Sequence, residues 1–267
     1  MKLSIVLSTQ PASFNAVAYK GRIKDNLEKI KNLGYDGAEL AVRDPALLDI
    51  SNIIALLNEV KLAVPAIGTG QAYGEENLSF TDAKFDVRSG AIDRILSQIE
   101  LARRFNAVVI IGLIRGKSQA GVSREQAESW LIHALRECAS HDESVKIVVE
   151  PINRYETDLI NTVESGLHFL DKLAKDNVGL LLDTFHMNIE EPSILDSIVT
   201  AKDRLFHFHV ADSNRWYPGA GHINFQEIFD VLNKINYQGF VSAEIIPNPD
   251  PDTAAEKTME TLKAINK

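Results

Sequence analysis

Four side chains able to hold a divalent cation recur in one setting, each at the end of a short apolar run. KIVVE ends in Glu150, LLLD ends in Asp183, FHFHV carries His209 near its end, and VSAE ends in Glu244. Apolar runs of this length, rich in β-branched residues or leucine, predict strands buried on both faces, as in a parallel sheet. A carboxylate where such a strand runs out is expensive unless a cation or hydrogen-bond donors meet it. One such acid alone is more often a helix cap or an ion-pair partner. Four in succession are much harder to explain structurally. Three carboxylates and one imidazole suit Mn²⁺, with Mg²⁺, Co²⁺ or Zn²⁺ as alternatives, because carboxylates favour the harder divalent ions. Carboxylates this crowded would repel one another, and a cation between them removes that repulsion.

The elements that must position these groups alternate from end to end. Periodicity predicts strands over 3–8, 36–42, 63–68, 108–113, 146–149, 178–182, 205–210 and 240–245. It places helices over 21–33, 49–60, 83–105, 123–139, 163–174 and 225–235, with another starting at Pro192 and a last one after Asp252. Eight βα units with no composition shift between them predict one closed (β/α)8 TIM barrel over residues 1–267, a single α/β domain; an open doubly wound sheet is the second choice. In such a barrel the active site lies at the C-terminal ends of the strands, which is where all four candidate ligands fall. The stretch TGQAYGEENLSFTD is a long loop rich in turn formers, so it reads as a binding element or lid.

Bulk properties narrow the function. A chain of 267 residues with 45% hydrophobic and 24% charged residues fits a soluble globular protein and excludes a disordered or membrane class. A net charge of −9 argues against nucleic acid as a partner, since phosphate binding relies on Lys and Arg. The first residues, MKLSIVLSTQ, hold too short an apolar run for a signal peptide or a membrane span. The one cysteine, Cys138, cannot form an intrachain disulfide and reads as a buried thiol in a reducing cytoplasm.

The segments EPINRYETDLINT, LLDTFHMNIEE, HFHVADSNRWYPGAGHINF and VSAE fall in order on separate strands. Together they resemble the sugar isomerase/epimerase superfamily of xylose-isomerase-like barrels, and within it the ketose 3-epimerase group. AIGTGQAYGEENLSF, VVIIGLIRG and NRWYPGAGH are similar, more narrowly, to the 5-keto-L-gluconate epimerases, which interconvert that keto acid with D-tagaturonate. The resemblance implies that Glu150, Asp183, His209 and Glu244 bind a metal, usually manganese. It implies that His186 and Arg215 hold substrate oxygens near the ketone and that Glu156 contacts the substrate. It also implies that Glu150 and Glu244, on opposite faces of the sugar, exchange the proton through an enediolate that the metal stabilises.

A keto-hexonate substrate would bring a carboxylate, and a guanidinium is its natural partner. Arg43 after the second strand and Arg115 after the fourth are expected at the correct rim. A neutral ketohexose would need neither. His207, two residues before His209, shares its face and reads as a hydrogen-bonded interior histidine. His133, His141 and His168 fall on helices in surface or packing roles, His222 is undecided, and Met187, Trp216 and Tyr217 read as pocket wall or lid. Hydroxypyruvate or keto-inositol isomerisation shares the metal and both glutamates. Endonuclease IV, in the same superfamily, uses three zinc ions and more histidines than this chain offers. A non-catalytic sugar binder would not require two opposed acids. Barrels of this type often associate, so a homo-oligomer is a further expectation.

Overall fold

Residues 1–266 are described by the computed structural model. Eight parallel strands form the wall: β1 Lys2–Ser8, β2 Gly37–Ala41, β3 Ala66–Gly68, β4 Val108–Ile111, β5 Ile147–Val149, β6 Val178–Asp183, β7 Leu205–Val210 and β8 Phe240–Ala243. Each pairs with the next, and β1 pairs with β8, Leu3 opposite Val241, so the sheet closes. Every strand named in the sequence is present, and closure rules out the open sheet. A short strand, Tyr19–Lys20, adds to the edge of β1 beyond its Leu7 and extends the rim.

Eight crossover helices cover the outside: α1 Ile23–Leu33, α2 Ile50–Val60, α3 Phe85–Phe105, α4 Arg124–His141, α5 Val163–Leu173, α6 Ile194–Ala201, α7 Phe225–Lys234 and α8 Pro251–Ile265. Their ends follow local chemistry. Ser123 accepts a hydrogen bond from Gln126 N to start α4, and Thr162 forms a reciprocal capping box with Ser165 at α5. Gly34, at φ 93°, ends α1 in the left-handed region that glycine tolerates best. The continuous apolar layer between strands and helices includes Ile5, Leu27, Leu40, Ile67, Leu135 and Phe208, all fully buried. Each such side chain contributes about 1.5–3 kcal/mol relative to exposure. Among the described residues, no helix is long and apolar enough to cross a membrane.

Two predicted loops are partly helical. Gly70–Glu76 forms a short helix inside the 69–82 stretch, and Thr184–Glu190 forms another directly after β6. Pro192 does not open the next helix; Ser193 does, as a cap accepting from Asp196 N. The lone Pro signal is outweighed by a side-chain cap that satisfies an otherwise orphaned N–H.

Candidate active site

Glu150 and Glu244 each stand one residue beyond a strand, Asp183 is the last residue of β6, and His209 is the penultimate residue of β7. The barrel therefore turns all four toward one mouth. One ligand-competent atom from each lies within 4.8 Å of every other. Three of these residues hold a buried atom with no hydrogen-bond partner among the described residues: Glu150 Oε1, Asp183 Oδ2 and His209 Nδ1. Asp183 divides its duties. Its Oδ1 accepts from Phe185 N at 2.8 Å as a helix cap, which leaves Oδ2 free. Buried polar atoms are rarely left unpaired. Three orphans pointing at a shared space, on two carboxylates and an imidazole, fit a divalent cation.

The electrostatics agree. Burial, with the nearby Glu244 and Asp183 charges, pushes the Glu150 carboxyl up to about 8 in the absence of a cation. Burial raises Glu244 as well, opposed by the Arg215 and His209 charges. Burial lowers the His209 imidazole, but Glu39, Glu244 and Asp183 outweigh it and raise the group to about 10. Gly112 at the end of β4 makes room for the cluster, since a Cβ there would stand 3.1 Å from Glu150 Oε2.

A cavity of about 440 Å³ opens above these residues. Glu39, Glu150, Glu156, His186, Arg215 and Glu244 are its charged and titratable lining, and Phe14, Ala41, Thr69 and Gln71 are among the uncharged residues beside them. Arg215 Nη2 donates to Glu244 Oε2 at 2.5 Å, and Nη1 lies 3.7 Å from Glu156 Oε1 and 3.4 Å from His186 Nε2. Its guanidinium lies over the rings of Phe14 and Phe185, at 5.6 and 4.7 Å from the ring centres. Arg215 takes φ 61°, an uncommon backbone for a non-glycine residue. The loop around it is knotted by Asp212, whose carboxylate accepts from the N–H groups of Ser213, Gly219 and Ile223. His186 Nδ1 meets Asn153 Nδ2 at 2.8 Å, and burial together with the Arg215 and Arg115 charges holds the ring well below its ordinary range, hence neutral.

The two arginines expected as carboxylate anchors lie elsewhere. Arg43 is no part of the cavity wall; its Nε faces Glu76 Oε1 at 3.5 Å. Arg115 sits in a tight turn, Leu113–Arg115, that folds it inward until it is 0% exposed. There Nη1 donates to the Glu150 carbonyl oxygen, while Nε and Nη2 have no partner. Trp216 and Tyr217 are also outside the cavity wall, and aromatic walling comes from Phe14 and Phe185 instead. His222 is exposed, and His207 is buried and hydrogen-bonded.

Sequence reasoning missed Glu39, Asn153, Asp212, Phe14 and Phe185. Glu39 had a usable signal: a carboxylate in the middle of the buried run GAELA poses the same problem as Glu150. Asp212 and Phe14 had none, because their roles depend on how two loops close over the mouth.

Residues 27–265 match the family described as "Xylose isomerase-like TIM barrel". The chain belongs to that family. Its relatives in the xylose isomerase-like group include an L-ribulose 3-epimerase from Methylomonas sp. strain DH-1, 32% identical over 230 residues, 85% of this chain and 79% of that one. A 3-dehydro-D-guloside 4-epimerase from Escherichia coli K12 is 27% identical over 262 residues, 93% of this chain and 97% of the other. Among solved structures, the D-allulose 3-epimerase from Methylomonas sp. in complex with D-allulose superposes with a TM-score of 0.82 at 26% identity, covering 99% of this chain and 97% of that one. All three of these relatives are named as sugar epimerases, which are isomerases.

Proposed function

We propose that the protein is a divalent-metal-dependent epimerase that inverts the carbon next to the ketone of a small keto sugar or keto acid. The observation that carries this reading is that Glu150 and Glu244 belong to one four-residue cation cluster and also line the cavity above it. In this reading Glu150, Asp183, His209 and Glu244 hold the cation, with Mn²⁺ as the first candidate. The ion would supply Lewis-acid stabilisation of the negative charge that develops on the substrate oxygens. One of the two glutamates removes the proton from the carbon beside the ketone and the other returns one to the opposite face, so the centre inverts. Arg215 and neutral His186 hydrogen-bond substrate oxygens, Glu156 contacts a hydroxyl, and Phe14 and Phe185 hold the guanidinium flat and exclude water.

The substrate placed first is the 5-keto-L-gluconate and D-tagaturonate pair, on the strength of the sequence resemblance. A neutral ketohexose of the tagatose or psicose type is the second reading, and one observation favours it. Among the described residues Arg215 is the one Arg or Lys in the cavity wall, and it is already engaged by Glu244 and Glu156. Rates measured side by side on 5-keto-L-gluconate, D-tagaturonate, D-tagatose and D-psicose decide between them. Turnover in D₂O is expected to place deuterium at the inverted carbon. Epimerisation without deuterium incorporation would sink the proton-transfer route.

A further inference from the structure

Glu39 stands outside the four-residue cluster, yet it is 1% exposed and reaches across the barrel from β2 to β7. Its Oε2 lies 2.8 Å from His207 Nε2, and both its oxygens lie 3.0 Å from His209 Nε2. An ionised carboxylate only accepts, so both imidazoles present an N–H at Nε2. For His209 this leaves Nδ1 as the other ring nitrogen, 3.8 Å from Asp183 Oδ2 and without a hydrogen-bond partner. A neutral imidazole protonated on Nε2 carries its lone pair on Nδ1, which is what ligation requires.

Glu39, His207 and His209 are close enough to be read as a cation site of their own. Direct hydrogen bonds of 2.8 to 3.0 Å already satisfy those atoms, so the arrangement is a strut rather than a vacant site. A purely stabilising role explains it poorly. Buried ionic clusters contribute little net stability compared with well-packed apolar residues of the same volume.

We propose that Glu39 is a positioning residue of the metal centre, fixing the His209 ring and its Nε2–H tautomer so that Nδ1 faces the cation, with His207 bracing the carboxylate from below. This rests on the metal-dependent reading above and extends it to a residue no motif contains. The buried negative charge behind the ring also makes Nδ1 a stronger donor, as outer hydrogen-bond partners do for ligating histidines. A glutamine at this position could present its amide N–H to His209 Nε2, which would drive the ring proton onto Nδ1 and block ligation.

The test is calorimetric titration of Mn²⁺ into metal-free wild type, Glu39→Gln and His207→Asn, with circular dichroism to confirm the fold. Glu39→Gln is expected to weaken affinity by about 10–100-fold, the range seen for such outer-shell partners, and His207→Asn by a smaller factor. The ¹⁵N-imidazole spectrum of Zn²⁺-loaded wild type serves as a second measurement that needs no variant and stands even where Glu39→Gln does not fold. It should show His209 protonated on Nε2 and ligated through Nδ1. A folded Glu39→Gln with wild-type affinity, or ligation through Nε2, overturns the role given to Glu39. Wild type that binds no divalent ion at all overturns the metal-dependent reading beneath it.

Discussion

The two halves of the barrel mouth are built from the same kind of strand and finish them differently. β5 to β8 carry Glu150, Asp183, His209 and Glu244 at or beside their C-terminal ends, all able to bind a cation. β1 to β4 end in Ser8, Ala41, Gly68 and Ile111, followed by Thr9, Val42, Thr69 and Gly112. One half concentrates charge, and the other keeps its strand ends small or uncharged. The contrast shows a division of labour: the second half holds the reacting atoms, while the first half supplies the room in which a substrate lies. Glu39 is the exception, and it sits one layer deeper, where it supports His209 from across the barrel.

That division can be broken most directly at its acidic half. Glu150→Gln and Glu244→Gln should each lower kcat by about 10²–10⁴-fold, the usual range for a lost acid–base group, with the circular dichroism spectrum unchanged. Activity at the wild-type level in either variant would remove the chemistry from that half. The next largest effect falls on the small-residue half. Arg115→Ala removes a fully buried guanidinium that supports the Glu150 carbonyl and leaves a void, so urea titration should show a loss of about 3–5 kcal/mol. A loss below about 1 kcal/mol would mean the site tolerates the void.

Cation loading sharpens the comparison by acting on one half alone. An ion at 100 times its Kd should stabilise the native state by about 2.7 kcal/mol, read as a rise in Tm. The metal-free protein should also lose stability as pH rises above 7, where His186 and His207 no longer titrate in either state. Glu150, raised from 4.5 to about 8, keeps a proton in the folded state that the unfolded chain has released across that window. His209, raised from 6.5 to about 10, contributes stability that is complete below 6.5 and lost as pH climbs through about 10. Both slopes carry the same sign, and saturating cation should flatten them by favouring the ionised carboxylates and the neutral imidazole. A metal-free Tm that rises from pH 7 to 9 would contradict this charge arrangement. The smallest change expected is Arg43→Ala, which breaks a partly exposed pair with Glu76 and should alter stability by less than about 1 kcal/mol and leave KM unaffected for acid and neutral substrates alike. A selective rise in KM for the acid would restore Arg43 as an anchor.

What could be read without coordinates followed from local rules. Alternating segments, caps such as Ser123 and Thr162, and acids at strand ends each depend on residues within a few positions of one another. Barrel topology then supplies the rest of the placement for Glu150, Asp183, His209 and Glu244, because all parallel strands deliver their C-terminal ends to one face. His207 was legible for the same reason, as a period-two neighbour of His209. Arg43 and Arg115 were read from strand position alone, and that rule does not say which way a loop side chain turns. The Leu113–Arg115 turn sent one guanidinium into the core, and Glu76 held the other at the rim.

The chain by itself therefore determined the fold, the order of its elements and the four groups that can grip a cation, since periodicity and strand polarity are properties of short stretches. Only the tertiary structure decided that Glu39 would meet His209 across 170 positions, that Phe14 would cover Arg215, and that Arg115 would be buried against the Glu150 carbonyl. Those outcomes depend on how the sheet closes and where each loop finds packing space, and no local pattern of residues encodes either.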